Sequence, residues 1–128
     1  MRDHAHTLEV VAGERLLFGS TGGWLRPLFE LEQWLRRSGV ALSDCVVEDK
    51  AVGRAAALLL ARLEARRLVA QVLSERAVPV LEGAGIAYEA GLVVPKLGCA
   101  TEEALADCTD YEQAYREICR RLDAGRLR

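Results

Sequence analysis

Between Gly53 and Glu64 the chain reads Arg-Ala-Ala-Ala-Leu-Leu-Leu-Ala-Arg-Leu, with Arg54 and Arg62 its only strongly polar positions. A helix that is apolar around most of its circumference cannot lie on a surface, so other elements must surround it. Just before it, Cys45-Val46-Val47 reads as a strand that ends in Glu48, Asp49 and Lys50. The sequence therefore predicts a strand feeding a central buried helix. The start of that helix, at about Asp49-Lys50, is its polar end and the first place to expect a site.

The flanking chain supplies the surroundings. Leu8-Glu9-Val10-Val11 alternates, Ala12-Gly13-Glu14 turns, and Arg15-Leu16-Leu17-Phe18 returns, which predicts a hairpin. Gly19 to Gly23 follows as a link that lacks the Gly-Lys-Ser/Thr ending of a phosphate loop and the spacing of a dinucleotide fingerprint. It reads as a turn needing positive φ. A helix starts near Trp24 to Arg26, carries Leu28, Leu31, Trp34 and Leu35 on one face, and stops at Gly39. The two tryptophans read as packing residues.

After the central helix, Arg67 to Leu73 is apolar almost throughout and reads as a strand buried on both faces. Ser74 caps a helix over Glu75 to Ala84, in which Pro79 forces either a kink or a restart. Ile86 to Glu89 and Leu92 to Val94 read as two short strands. Thr109-Asp110-Tyr111-Glu112 reads as a capping box opening the last helix. The repeated β-α-β order predicts parallel strands with right-handed crossovers. The fold class is α/β: a three-layer α/β/α domain with a mixed sheet and an N-terminal hairpin.

At 128 residues the chain makes one domain, 1–128, with residues 1–6 expected as a disordered tail. A net charge of −2 gives no support for a nucleic-acid partner, which needs a basic face. The locally basic end, Arg120-Arg121 to Arg126-Leu127-Arg128, reads as a solvated helix terminus. No segment approaches a membrane span and the first residues contain no signal-peptide core, so a cytoplasmic protein is expected. Cys45, Cys99, Cys108 and Cys119 show no Cys-x-x-Cys spacing and no neighbouring His, so neither a metal nor a cofactor is expected.

The run Val46-Val47-x-Asp49-Lys50-x-Val52-Gly53-Arg54-Ala55-Ala56-Ala57 resembles the signature of a small bacterial domain-of-unknown-function family. Leu73-Ser74-x-x-Ala77, Gly85-Ile86-x-Tyr88 and Cys99-x-x-Glu102 follow in the matching order, with Ala100 where the family pattern has Pro. The resemblance implies a fold similar to that of cytidine deaminases. A zinc deaminase needs a His or Cys followed by Ala-Glu at one helix start, and Pro-Cys-x-x-Cys at the next. Ala51-Val52-Gly53 and Ser74-Glu75-Arg76-Ala77 stand at those places, so zinc-dependent deamination is not expected.

Two helix starts, near Asp49 and Ser74, offer backbone N–H groups to an anionic or nucleotide-like small ligand. The candidate ligand-binding residues are Asp49, Lys50, Gly53, Ser74, Arg76, Cys99 and Glu102. Ordinary capping accounts for Asp49 and Ser74 equally well. Cys99, with Asp49 or Glu102 as base and Lys50 as electrostatic stabiliser, is the candidate set for an enzyme. Without a His beside it, the thiol reads more simply as a buried core group. A third reading is a homo-oligomer formed through an exposed helix face or edge strand.

Overall fold

A computed structural model of the chain describes residues 1–123, and Arg126 to Arg128 of the basic terminus lie outside the described residues. Five strands form one mixed sheet in the order β2-β1-β3-β4-β5. They are β1 (Leu8–Ala12), β2 (Arg15–Ser20), β3 (Val46–Val52), β4 (Arg67–Ser74) and β5 (Ala87–Val94). The β1–β2 hairpin is antiparallel with an irregularity at Val10/Val11, and β1 also runs antiparallel to β3. From β3 onward the pairing is parallel. The α/β class and mixed sheet read from the sequence are what the chain forms, but its described helices gather on one face of the sheet and Val69 of β4 stands exposed on the other, so there are two layers where three are expected.

The helices are α1 (Arg26–Ser38), α2 (Arg54–Arg62), α3 (Val78–Gly83), α4 (Ala100–Ala104) and α5 (Tyr111–Asp123). The run from Arg54 to Ala61 is buried at every position. It is enclosed because β3-α2-β4 and β4-α3-β5 step the same way across the sheet. Right-handed crossovers then place α2 and α3 on one face. On that face α1 and α5 also meet α2: Phe29 of α1 stacks near Tyr115 of α5, and Arg62 of α2 lies over the Tyr115 ring at 3.6 Å. Leu28, Leu31, Ala114 and Ile118 complete the core around the helix.

Several local expectations shift. The strand before α2 runs on to Val52, so Asp49 lies inside β3, opposite Leu8 and Ala70, and Gly53 takes the N-cap of α2. Strand pairing on both sides holds Glu48 to Val52 extended, which outweighs the capping tendency of Asp49. Strand β4 is not buried on both faces: Arg67, Val69 and Gln71 are exposed and alternate with buried Leu68 and Ala70. Pro79 marks a restart, with a 3₁₀ turn over Glu75–Ala77 capped by Ser74 and α3 beginning at Val78. The two short strands after it are one, β5, whose Gly91 lets the Gln71 carbonyl approach. At α5 the cap is Asp110, whose Oδ1 accepts the Gln113 N–H at 3.0 Å.

Residues 1–6 depart from a disordered tail. They lie over the sheet and are held by Glu9, a fully buried carboxylate on β1. Glu9 accepts the backbone N–H groups of Arg2 at 2.8 Å and Asp3 at 3.0 Å, and its Oε2 meets His6 Nδ1 at 2.7 Å. The imidazole covers Gly19 of β2 so closely that a Cβ there would overlap it. Burial alone would raise the Glu9 carboxyl, but the Arg2 N–H, the His6 ring and the Asp3 N–H outweigh it and hold the carboxyl below its ordinary value.

A cavity at the end of strand β3

The parallel strand β3 ends beside the starts of α1 and α2, and the segment after β5 crosses the opening. Together they enclose a cavity of about 370 Å³. Asp49, Lys50 and Ala51 come from β3, Gly53, Ala55 and Ala56 from the start of α2, and Gly22 to Leu25 from the link before α1. Leu97, Cys99, Thr101 and Glu102 close the far side. Most of the wall is apolar, with a few convergent polar groups, which is the usual make-up of a small-molecule site. Its place outside the carboxyl end of a parallel strand is also where α/β sheets take ligands.

Glu102 is the most deeply built of these residues. Its Oε2 accepts the Arg54 N–H at 2.9 Å, and its Oε1 accepts the Leu97 N–H at 2.9 Å and the Ser74 hydroxyl at 3.2 Å. A carboxylate from α4 therefore caps α2, a role no local cap fills, because Gly53 has no side chain. Gly53 is extended, at φ −101°, so its backbone does not require glycine. Space does: a Cβ there would stand 2.5 Å from Glu102 Oε2. The neighbouring Arg54 is buried and has no carboxylate partner among the described residues. Its guanidinium donates to the carbonyls of Leu105 (2.7 Å), Cys108 (2.6 Å) and Arg76 (3.1 Å).

Asp49 stands apart from that network. Its Oδ1 accepts a long bond, 3.3 Å, from the Ala51 N–H, and no side chain among the described residues pairs with it. Burial pushes its carboxyl up to about 7, against the pull of the Ala51 and Lys50 N–H groups. Lys50 does not neutralise it: its Nζ reaches outward to the His4 carbonyl at 3.1 Å. Cys99 Sγ lies 3.3 Å from Thr101 Oγ1. Of the seven expected ligand-binding residues, Asp49, Lys50, Gly53, Cys99 and Glu102 line the cavity. Ser74 is buried behind Glu102, and Arg76 pairs at the surface with Glu103 at 2.8 Å.

Trp24 was read as a packing residue, and the structure corrects this. Trp34 does pack, with its ring centroid 5.4 Å from that of Phe18. Trp24 is 61% exposed at the cavity and takes φ +56°, a conformation rare for a bulky residue. The positive φ expected of the glycine link thus falls on the tryptophan that follows it. The glycine pair Gly22-Gly23 just before it was the available signal.

The sequence matches the family described as "Domain of unknown function (DUF1893)" over residues 4–121. The chain belongs to the DUF1893 family. A solved structure of a DUF1893 family protein (TM1506) from Thermotoga maritima superposes with a TM-score of 0.78 at 27% identity, covering 91% of this chain and 80% of that one. No curated protein matches the chain. Among the described residues of this DUF1893 domain, no three His, Cys, Asp or Glu side chains converge as a metal cluster, and no helix is long and apolar enough to cross a membrane.

Proposed function

We propose that this DUF1893 domain is a small-molecule-binding module whose site is the cavity between β3, α1 and α2. One observation carries the reading: Asp49 sits in an apolar-walled cavity of about 370 Å³ with no side-chain partner among the described residues. Holding a half-buried carboxyl against apolar wall is unfavourable unless something pairs with it, and a bound ligand would supply the pair. The first-turn N–H groups of Ala55 and Ala56 add donors for a neutral acceptor on the same ligand. Nucleosides and related heterocycles are of suitable size and polarity.

The anionic version of this reading has less support. Glu102 already places a negative charge on the first N–H of α2, and Arg26 and Leu28 at the start of α1 donate to Gly23 and Leu25 carbonyls. Cys99 and Asp49 line the same cavity, which favours a second reading in which the thiol passes its proton to Asp49 as its sulfur adds to a carbonyl carbon of the ligand, the π pair moving onto the carbonyl oxygen. Glu102 is a poor base for that step, because three donors occupy its oxygens.

The test is thermal unfolding with nucleosides, nucleotides, sugar phosphates and divalent metals, on wild type and Asp49→Ala. A ligand at a hundredfold excess over its Kd adds about 2.7 kcal/mol of stability. A shift with one class that the variant loses supports the reading. No shift with any class counts against it. Rapid alkylation of Cys99, slowed in Asp49→Ala, would support the second reading.

A further inference from the structure

We propose that the cavity selects a ligand with an apolar body and a cationic nitrogen head, an amine or amidinium, seated between Asp49 and Trp24. The proposal rests on the binding-module reading and deepens it. Three observations converge on it.

The first concerns charge. Among the described residues that line the cavity, Asp49 and Glu102 are acidic and Lys50 is basic, and Lys50 directs its Nζ to the His4 carbonyl. Glu102 is satisfied by Arg54, Leu97 and Ser74, so the acidic group left without a side-chain partner among the described residues is Asp49. An entering cation restores balance, whereas an entering anion faces two carboxylates.

The second concerns the rim. Trp24 is held exposed at the cavity in a left-handed conformation that disfavours bulky side chains. An indole face attracts a cation within about 6 Å of its centroid. Trp24 and Asp49 therefore ask for the same ligand charge from different elements, the α1 link and β3.

The third concerns the body. Leu25, Pro27, Ala51 and Leu97 offer apolar wall, and the cavity is large enough for a one- or two-ring skeleton. The remaining titratable groups facing Asp49 are Lys50 on its own strand and Cys99 and Glu102 across the cavity.

The experiment uses matched heads on common bodies. Tryptamine, tryptophol and indole-3-acetate share an indole and carry a cation, a neutral hydroxyl and an anion; phenyl and cyclohexyl sets repeat the comparison. Dissociation constants are measured calorimetrically on the full chain. The expected result is that the amine of at least one set binds tenfold or more tighter than its alcohol, with the carboxylate weakest. Asp49→Asn removes the advantage of the amine over the alcohol, and Trp24→Ala weakens the amine most. Amine affinity rises about tenfold from pH 6 to pH 8, as Asp49 gives up its proton. Binding that ignores head charge, or favours the carboxylate, overturns the head-group inference and leaves the binding module standing. No binding by any member of the three sets overturns the head-group inference, and the binding module falls with it only if the nucleoside, nucleotide, sugar-phosphate and metal panel also gives no shift.

Discussion

Glu102 Oε2 lies 2.5 Å from where a Cβ on Gly53 would stand, and from there the carboxylate caps α2 through the Arg54 N–H. The missing side chain and the capping carboxylate are two halves of one contact, 49 residues apart in sequence. Gly53→Ala should destabilise the fold by about 2–3 kcal/mol, because the displaced carboxylate leaves buried donors unmet. In Glu102→Ala, the same Gly53→Ala change should cost much less. Urea unfolding of the four forms measures that coupling.

Arg54→Lys should cost about 2–4 kcal/mol, measured the same way. An ammonium cannot reach the carbonyls of Leu105, Cys108 and Arg76 together, so the change keeps the charge and loses the fork. Equal stability of Arg54→Lys and wild type would show that charge alone holds this junction.

Asp49→Asn should alter stability with a defined sign. The folded carboxyl titrates at about 7 against an ordinary 3.8, so between those values the folded state holds a proton that the unfolded state has released. Wild-type stability therefore falls as pH rises through this window, and the penalty is complete above it. Asn cannot ionise. The variant should be more stable than wild type at pH 8, by on the order of 2 kcal/mol, with the difference shrinking toward pH 4. A difference that grows toward acid would refute this assignment.

Glu9 should act in the opposite direction. Its carboxyl is held below its ordinary value, so its contribution is present above that value and is lost as pH falls through the folded one. Amide exchange at residues 2–6 should accelerate in acid before the core opens. Glu9→Gln should raise that exchange at neutral pH and flatten its acid dependence. Unchanged protection in Glu9→Gln would mean that other contacts hold the strap.

The sequence carried the class of fold well, because periodicity and turn chemistry are local. The buried run from Arg54 to Ala61, the Gly39 stop of α1 and the restart at Pro79 each follow from a few neighbouring residues. The end of β3 was not legible. Glu48-Asp49-Lys50 reads as a helix entry, and only pairing with β1 and β4 shows it to be strand. The cap of α2 was hidden for the same reason: its carboxylate comes from another helix. Asp49, Lys50, Gly53, Cys99 and Glu102 come together at one cavity, while in the sequence Arg54 reads only as a helix polar position and Trp24 as a packing residue. Their meaning depends on distant carbonyls and on a backbone angle, neither of which leaves a local pattern.

Gly53 and Arg54 have a consequence for how anything gets in. The Arg54 N–H donates to Glu102 in the middle of α4 and the same residue's guanidinium donates to the carbonyls of Leu105 and Cys108 just past it, so the far wall is fastened within a five-residue helix and beyond its end. Swinging that wall aside would break every fastening at once. For the ligand proposed above, the easier route lies past Trp24, where the backbone takes a positive φ and the side chain faces water. Residence time should therefore follow the local freedom of the Gly22-Gly23-Trp24 turn, and the wall at α4 should set which shapes fit without setting how fast they leave.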